Sequence, residues 1–150
     1  MNSDFKELLN ALNGFQVKYL VIGGYAVMKY AEPRFTKDLD IWVKADNDNA
    51  RAVFDALKAF GSPLEGMSVD DFAHEGYFYQ MGVAPLRVDI LMSVAGVSFD
   101  DAWANRVASD VGGVTAFFIS KEDLIKSKKA TGRPQDLIDA GLLELTSKTK

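Results

Sequence analysis

The chain has 150 residues, 48% of them hydrophobic, and a formal net charge of −4 at pH 7. This length and composition predict a single folded domain over residues 1–150, and the acidic balance argues against nucleic-acid binding without sequence preference. The lack of cysteine excludes disulfide scaffolds and thiolate metal sites, and the sequence shows neither a secretory leader nor a long apolar run, so we expect a cytoplasmic protein without membrane contact.

Helices and strands are predicted to alternate through the first half of the chain. Apolar residues at 3.6-residue spacing indicate helices, and short apolar runs that end at glycine indicate strands. The predicted elements are a helix capped by Ser3 and ended by Gly14, a strand over 18–22, a helix over 25–31, a strand over 39–43, and a helix capped by Asp46 or Asn47 that runs to Phe60.

The second half is predicted to add a β-hairpin, one more strand and two C-terminal helices. The elements are antiparallel strands over 76–81 and 86–91, a strand over 114–119, a helix capped by Ser120 that runs to about Ala130, and a helix opened by residues 132–134 that ends near Leu145. The mixture predicts an α+β fold around a mixed β-sheet flanked by helices.

A glycine pair, Gly23-Gly24, lies where the first predicted strand gives way to a helix. Because glycine has no side chain, backbone N–H groups and the positive end of the helix can approach a phosphate closely there. Glycine pairs also occur in ordinary turns. The pair is therefore either a phosphate-binding turn or a purely structural one.

Three aspartates on predicted strands form a second candidate feature. Asp38 and Asp40 are two residues apart, so on a strand both side chains lie on one face, where a divalent cation would relieve their repulsion. The alternative for this pair is a solvated strand face. Asp89 lies between apolar residues of a later strand, where a carboxylate needs a partner. That partner is either the same metal site or Arg87, two residues away on the same face.

A basic segment lies near the C-terminus, where residues 121–133 carry five basic and two acidic side chains. Lys121 and Lys128 fall on the apolar, inward face of the predicted helix, whereas Lys126 points elsewhere. Lys128 is therefore either a phosphate ligand or a lysine that reaches past the core to solvent. Arg133 is either a phosphate ligand or the partner of Asp136 in an intrahelical ion pair.

A strand ending in Gly23-Gly24, a strand carrying Asp38-Leu39-Asp40 and a later strand carrying Asp89 resemble the nucleotidyltransferase superfamily that includes DNA polymerase beta. The segment Arg34-Phe35-Thr36-Lys37-Asp38-Leu39-Asp40 is similar to the Arg-x-Thr-x-Asp-x-Asp form of small bacterial members. The segments around Lys128 and Arg133-Pro134-Gln135-Asp136 resemble C-terminal segments of toxin- and abortive-infection-type nucleotidyltransferases.

This resemblance implies a reaction and a division of roles. A nucleoside triphosphate would be the donor, Mg²⁺ or Mn²⁺ the cofactor, and the acceptor hydroxyl would belong to an RNA end such as tRNA, a protein or a small molecule. Asp38, Asp40 and Asp89 would be catalytic metal ligands, and Asp89 would also help to remove the acceptor proton. The implied nucleotide-binding residues are Gly23, Gly24, Arg34, Thr36, Lys128 and Arg133. The toxin-type likeness would imply an antitoxin partner.

Two alternatives remain open. A catalytically inactive nucleotide-binding partner protein would keep the fold without the transfer, and pairing of Asp89 with Arg87 without metal would favour it. A sugar-nucleotide glycosyltransferase also uses Asp-x-Asp, but such enzymes need a larger nucleotide-binding region before the motif than the residues that precede Asp38 here.

Overall fold

The computed structural model describes residues 1–33, 36, 38–82 and 87–148. The strands are β1 (Tyr19–Ile22), β2 (Asp38–Val43), β3 (Phe78–Met81), β4 (Arg87–Leu91), β5 (Val107–Val111) and β6 (Val114–Phe118). The helices are α1 (Ser3–Gly14), α2 (Gly23–Tyr30), α3 (Asn47–Phe60), α4 (Phe99–Ala104), α5 (Lys121–Thr131) and α6 (Pro134–Lys148), with a 3-10 turn at Val69–Phe72.

The six described strands form a mixed sheet in the order β3-β4-β2-β1-β6-β5. β1 pairs antiparallel with β2 and parallel with β6, while β2 pairs parallel with β4. The β3–β4 and β5–β6 pairs are antiparallel. The predicted α+β fold with a mixed sheet and C-terminal helices is therefore confirmed.

The hydrophobic core lies between this sheet and the helices. All four residues of β1 are buried, as expected for a strand with neighbours on both sides. In β2 the side chains of Leu39, Ile41 and Val43 are fully buried, whereas Asp38 and Asp40 are only half-buried. Alternation along the strand thus buries one face in the core and presents the two carboxylates on the other.

Most predicted elements are confirmed, with differences at their ends. The cap of α1 was wrongly predicted: its N-cap is Asn2, whose side chain accepts a hydrogen bond from the Asp4 N–H, rather than Ser3. Asp46 and Ser120 cap α3 and α5 through their side chains. The hairpin of β3 and β4 is antiparallel as predicted, but its connection at 83–86 lies outside the described residues.

Three elements were missed: α4, β5 and the 3-10 turn at Val69–Phe72. β5 forms a hairpin with β6 across the turn at Gly112 and Gly113. A glycine pair between two β-branched residues, Val111-Gly112-Gly113-Val114, is a hairpin signal that the sequence offered.

None of the helices in the described part of the chain has both the length and the apolar character of a membrane span.

Candidate active site

The glycine pair packs tightly against β2 and the segment before it. Gly23 adopts a φ of +68°, and a Cβ at this position would overlap the carboxylate of Asp40. A Cβ on Gly24 would lie 2.7 Å from Oγ1 of Thr36. Both positions therefore require glycine, because a side chain at either one would push Asp40 or Thr36 out of place. The missing side chains therefore allow the start of α2 to pack directly against Asp40.

Two of the predicted carboxylates meet through the parallel pairing of β2 and β4. In this register Asp40 lies opposite Asp89, and Asp38 lies opposite Arg87. Asp40 also lies opposite Ile22, the residue before the glycine pair. The side chains of directly opposed residues lie on the same face of a sheet, so Asp40, Asp89 and the glycines come together near the middle of the sheet.

Arg87 links the remaining aspartate to this pair. Its Nη2 lies 2.9 Å from Oδ2 of Asp38 and 3.3 Å from Oδ2 of Asp89. The partner that the sequence allowed for Asp89 is thus present, and it binds Asp38 as well. The pairing is incomplete: Oδ1 of Asp89 and Nε of Arg87 are buried and have no hydrogen-bond partner among the described residues. An orphaned carboxylate oxygen of this kind leaves one acceptor available for a further donor or a cation.

The clustering of carboxylates changes the acidity of Asp40. Burial raises the pKa of Asp40 to about 6, and the negative charges of Asp89 and Asp38 add to the effect, while Arg87 opposes it. Burial and the two negative charges disfavour the ionised carboxylate of Asp40, whereas the positive charge of Arg87 favours it. A cation bound at this point would reverse the sign of the effect.

A cleft of about 450 Å³ connects this cluster to the C-terminal helices. It is lined on the sheet side by Gly23, Gly24, Asp40 and Asp89 and on the helix side by Lys128 and Arg133. Six predicted site residues from distant parts of the sequence therefore share one cavity. Asp38 adjoins it through Arg87, and Thr36 adjoins it through Gly24. Arg34 lies outside the described residues.

On the helix side of the cleft, the charge of Lys128 is already compensated. Its Nζ lies 3.2 Å from Oδ1 of Asp136 and 3.2 Å from Oδ2 of Asp139, and the side chain is only 13% exposed. Lys128 therefore faces inward as the helix periodicity predicted. A phosphate would therefore compete with these two aspartates for the hydrogen bonds of the Lys128 ammonium group.

Asp136 also ties Arg133 and Thr131 into this network. Its Oδ2 accepts hydrogen bonds from Arg133 Nε at 2.7 Å and from the Thr131 hydroxyl at 2.6 Å. Burial raises the pKa of Asp136, but the hydrogen bonds from Thr131, Arg133 and Lys128 together outweigh it and leave the pKa below its ordinary value. The ion pair between Arg133 and Asp136 that the sequence allowed is present, although Arg133 lies just before α6 rather than within it. The guanidinium of Arg133 is nevertheless largely exposed at the cleft.

Oxygen donors such as those of Asp38, Asp40 and Asp89 are the ligands that Mg²⁺ and Mn²⁺ take. Within the described ranges, however, no group of three or more His, Cys, Asp or Glu side chains is arranged to hold a metal ion. Oδ2 of Asp38 is engaged by Arg87. The donor chemistry of the cluster fits a divalent cation, and the buried Oδ1 of Asp89 lacks a hydrogen-bond partner among the described residues, but Arg87 already contacts Oδ2 of Asp38 and Oδ2 of Asp89.

Sequence reasoning missed two features of this site. The first is that Arg87 binds Asp38 as well as Asp89, which depends on the strand register. The second is Asp139, which lies three residues after Asp136 and so on the same face of α6. That i, i+3 spacing of two aspartates on an otherwise apolar helix face was the signal available in the sequence.

Comparison with known proteins shows the family of the chain. No match was found among curated protein sequences. Among solved structures, the fold is similar to the crystal structure of the lincosamide antibiotic adenylyltransferase LnuA bound to lincomycin, with a TM-score of 0.59, 16% identity and coverage of 96% of each chain. At that identity the likeness shows the fold. A family model described as "Nucleotidyltransferase of unknown function (DUF6036)" matches residues 2–148, and the chain therefore belongs to this nucleotidyltransferase family.

Proposed function

We propose that the chain transfers a nucleoside monophosphate from a nucleoside triphosphate to an acceptor hydroxyl, with release of pyrophosphate. The observation that carries this proposal is the cleft itself, which combines the glycine pair, two facing carboxylates and two basic side chains. These are the parts that a triphosphate and a divalent cation require. Family membership supports the same class of reaction.

Each part of the cleft has a proposed role. Gly23 and Gly24 are proposed to bind the phosphates through their backbone N–H groups, with Thr36 next to Gly24. Arg34, which lies outside the described residues, is proposed as a further phosphate ligand on the resemblance alone. Asp38, Asp40 and Asp89 are the candidate ligands of Mg²⁺ or Mn²⁺, which when bound would stabilise the charge of the phosphates. Asp89 is proposed also to accept the proton of the acceptor hydroxyl, and its support is that Oδ1 has no hydrogen-bond partner among the described residues.

Lys128 and Arg133 are proposed to bind phosphate from the helix side of the cleft. Arg133 is the better placed of the two, because its guanidinium is largely exposed and has donors beyond the one that binds Asp136. Lys128 has two aspartates as competitors. Its contribution to phosphate binding is therefore proposed to be the smaller one.

The acceptor is proposed to be an RNA end such as that of tRNA, a protein hydroxyl or a small molecule. A small molecule is supported by the fold likeness to a protein that was solved as an antibiotic adenylyltransferase with lincomycin bound. A role as the toxin of a toxin–antitoxin pair, with an antitoxin as partner, rests on the resemblance of the C-terminal segments. The overall charge of −4 weighs against a long nucleic-acid footprint.

The test is a labelling experiment with the purified protein. Each of the four nucleoside triphosphates, labelled at the α-phosphate, is incubated with Mn²⁺ and with separate RNA, protein and small-molecule fractions of a cell extract. Label should appear in one fraction, and the variant Asp40→Asn should abolish it. A calorimetric titration with a non-hydrolysable triphosphate and Mn²⁺ runs alongside. Absence of triphosphate binding in that titration would overturn the proposal.

A second candidate function is a nucleotide-binding protein without transferase activity. The pairing of Arg87 with Asp38 and Asp89 favours it, because those carboxylates then have a structural partner that is not a metal ion. Triphosphate binding without transfer to any fraction would support this candidate.

A further inference from the structure

Arg87 stands at the point where two of the candidate metal ligands converge. One nitrogen, Nη2, contacts an oxygen of Asp38 and an oxygen of Asp89, and Asp40 lies opposite Asp89 in the neighbouring strand. The guanidinium thus contacts two carboxylates, and the third, Asp40, lies close enough for its pKa to be lowered by the charge of Arg87. Without Arg87 this cluster would hold three like charges with no basic side chain of the described residues paired to them.

A metal ion and the guanidinium need the same oxygens. A divalent cation such as Mg²⁺ approaches a carboxylate oxygen to about 2.1 Å, and it repels a guanidinium that contacts the same oxygen. The two cations therefore compete for Oδ2 of Asp38 and Oδ2 of Asp89. The absence of a three-carboxylate group arranged for metal among the described residues is consistent with Arg87 holding this position.

The contacts of Arg87 are incomplete enough for a metal ion to displace its guanidinium. Its Nε is buried and lacks a hydrogen-bond partner in the described part of the chain, so the guanidinium is only partly satisfied where it lies. Its side chain is nevertheless 39% exposed, which gives it a route toward solvent. Leaving the cluster would release an unsatisfied donor and uncover the oxygens that a metal ion needs.

We infer that the guanidinium of Arg87 takes the cation position in the metal-free protein, so that metal binding at Asp38, Asp40 and Asp89 requires release of Arg87. Arg87 is thus a positioning residue that holds Asp38 and Asp89 together until the metal ion binds. This inference rests on the proposed function, since it needs a divalent cation to bind at this cluster. It also reconciles the two candidate functions: the ion pair describes the metal-free protein and does not exclude activity.

The test measures Mn²⁺ binding directly, without nucleotide or acceptor. The full chain and the variants Arg87→Gln and Arg87→Lys are titrated with MnCl₂ in a calorimeter. Arg51→Gln, the same change on an exposed arginine of α3, is the matched control. Asp40→Asn reports whether the observed binding belongs to this cluster.

Removal of the competing charge should strengthen Mn²⁺ binding by about tenfold or more in Arg87→Gln. Arg87→Lys should bind Mn²⁺ with intermediate affinity, because it keeps the charge but loses the planar guanidinium, and Arg51→Gln should match the unmodified protein. In thermal melts with EDTA, Arg87→Gln should unfold at a lower temperature, and saturating Mn²⁺ should raise its melting temperature more than that of the unmodified protein. If Arg87→Gln is too unstable to titrate, the same comparisons are made with Arg87→Lys.

The outcomes separate this inference from the proposed function. If the unmodified protein binds Mn²⁺ through Asp40 but Arg87→Gln binds it equally or more weakly, the exchange is refuted and the proposed function stands. If neither protein binds Mn²⁺, both are refuted. Binding by Arg87→Gln alone would support the exchange and show that Arg87 excludes the metal ion from the unmodified protein.

Discussion

Asp40→Asn should stabilise the metal-free protein. The carboxylate of Asp40 is half-buried beside two other aspartates, which raises its pKa from 3.8 to about 6. A difference of roughly two pKa units corresponds to about 3 kcal/mol of unfavourable free energy for the ionised form at neutral pH. An amide carries no charge, so we expect Asp40→Asn to raise the free energy of unfolding by up to that amount.

The stabilisation should depend on pH in one direction. Because the folded pKa lies above the unfolded value, the folded protein binds more protons than the unfolded chain between about pH 4 and pH 6. The unmodified protein therefore loses stability as pH rises through this window. The advantage of Asp40→Asn should be near zero below pH 4 and complete above pH 6.

Thermal unfolding in EDTA measures this difference. For a chain of this size, 1 kcal/mol shifts the melting temperature by roughly 2–4 °C, so Asp40→Asn should melt several degrees higher at pH 7.5. Glu65→Gln, the same chemical change on an exposed loop, should leave the melting temperature unchanged. In saturating Mn²⁺ the order should reverse. A lower melting temperature for Asp40→Asn in EDTA would mean that the carboxylate is structural, and the metal-site assignment would be wrong.

Three further changes test other parts of the cleft. Gly23→Ala should abolish Mn²⁺ binding in calorimetry and lower the melting temperature, because its Cβ overlaps Asp40 in a left-handed backbone conformation. Lys128→Ala should cost about 3–5 kcal/mol in urea unfolding, since it removes the ammonium group that contacts both buried aspartates, Asp136 and Asp139. Asp89→Asn should keep most of the triphosphate affinity measured by calorimetry, yet lose orders of magnitude in the rate of label transfer.

Each of these has a control and a contrary outcome. Gly66→Ala shares a positive φ but meets no atom of the described chain within 4 Å, so it should keep Mn²⁺ binding. Lys129→Ala breaks an exposed ion pair and should cost less than about 1 kcal/mol. Equal stabilities for the two lysine variants would contradict the buried network. Transfer at the normal rate by Asp89→Asn would leave Asp89 as nothing more than a partner of Arg87.

Local patterns in the sequence predicted those parts of the site that depend on a single element. The i, i+2 spacing of Asp38 and Asp40 placed both on one strand face, and the structure agrees. The helical period turned Lys128 inward, where it indeed lies. In both cases the geometry of one helix or strand determines the direction of the side chain.

Features that depend on how elements pair could not be predicted from local pattern. The contact of Arg87 with Asp38 follows from the register of two strands that are distant in sequence. The competition of Asp136 for Lys128 follows from the packing of α6 against α5. The resemblance to nucleotidyltransferases led us to expect that the three aspartates would lie close together. Periodicity alone, however, does not predict the register in which β2 pairs with β4. The proposed roles of these residues stay predictions.

The parallel pairing of β2 with β4 has a consequence for folding. Asp40 and Asp89 become neighbours only when these strands dock, and the hairpin partner of β4 is β3 rather than β2. A contact between strands so far apart in sequence is costly in chain entropy and tends to form late. A partly folded chain that has only its local hairpins and helices would therefore lack the paired carboxylates. During refolding, we therefore expect Mn²⁺ binding to appear only once β2 has paired with β4. The time at which it appears would report when the central sheet forms.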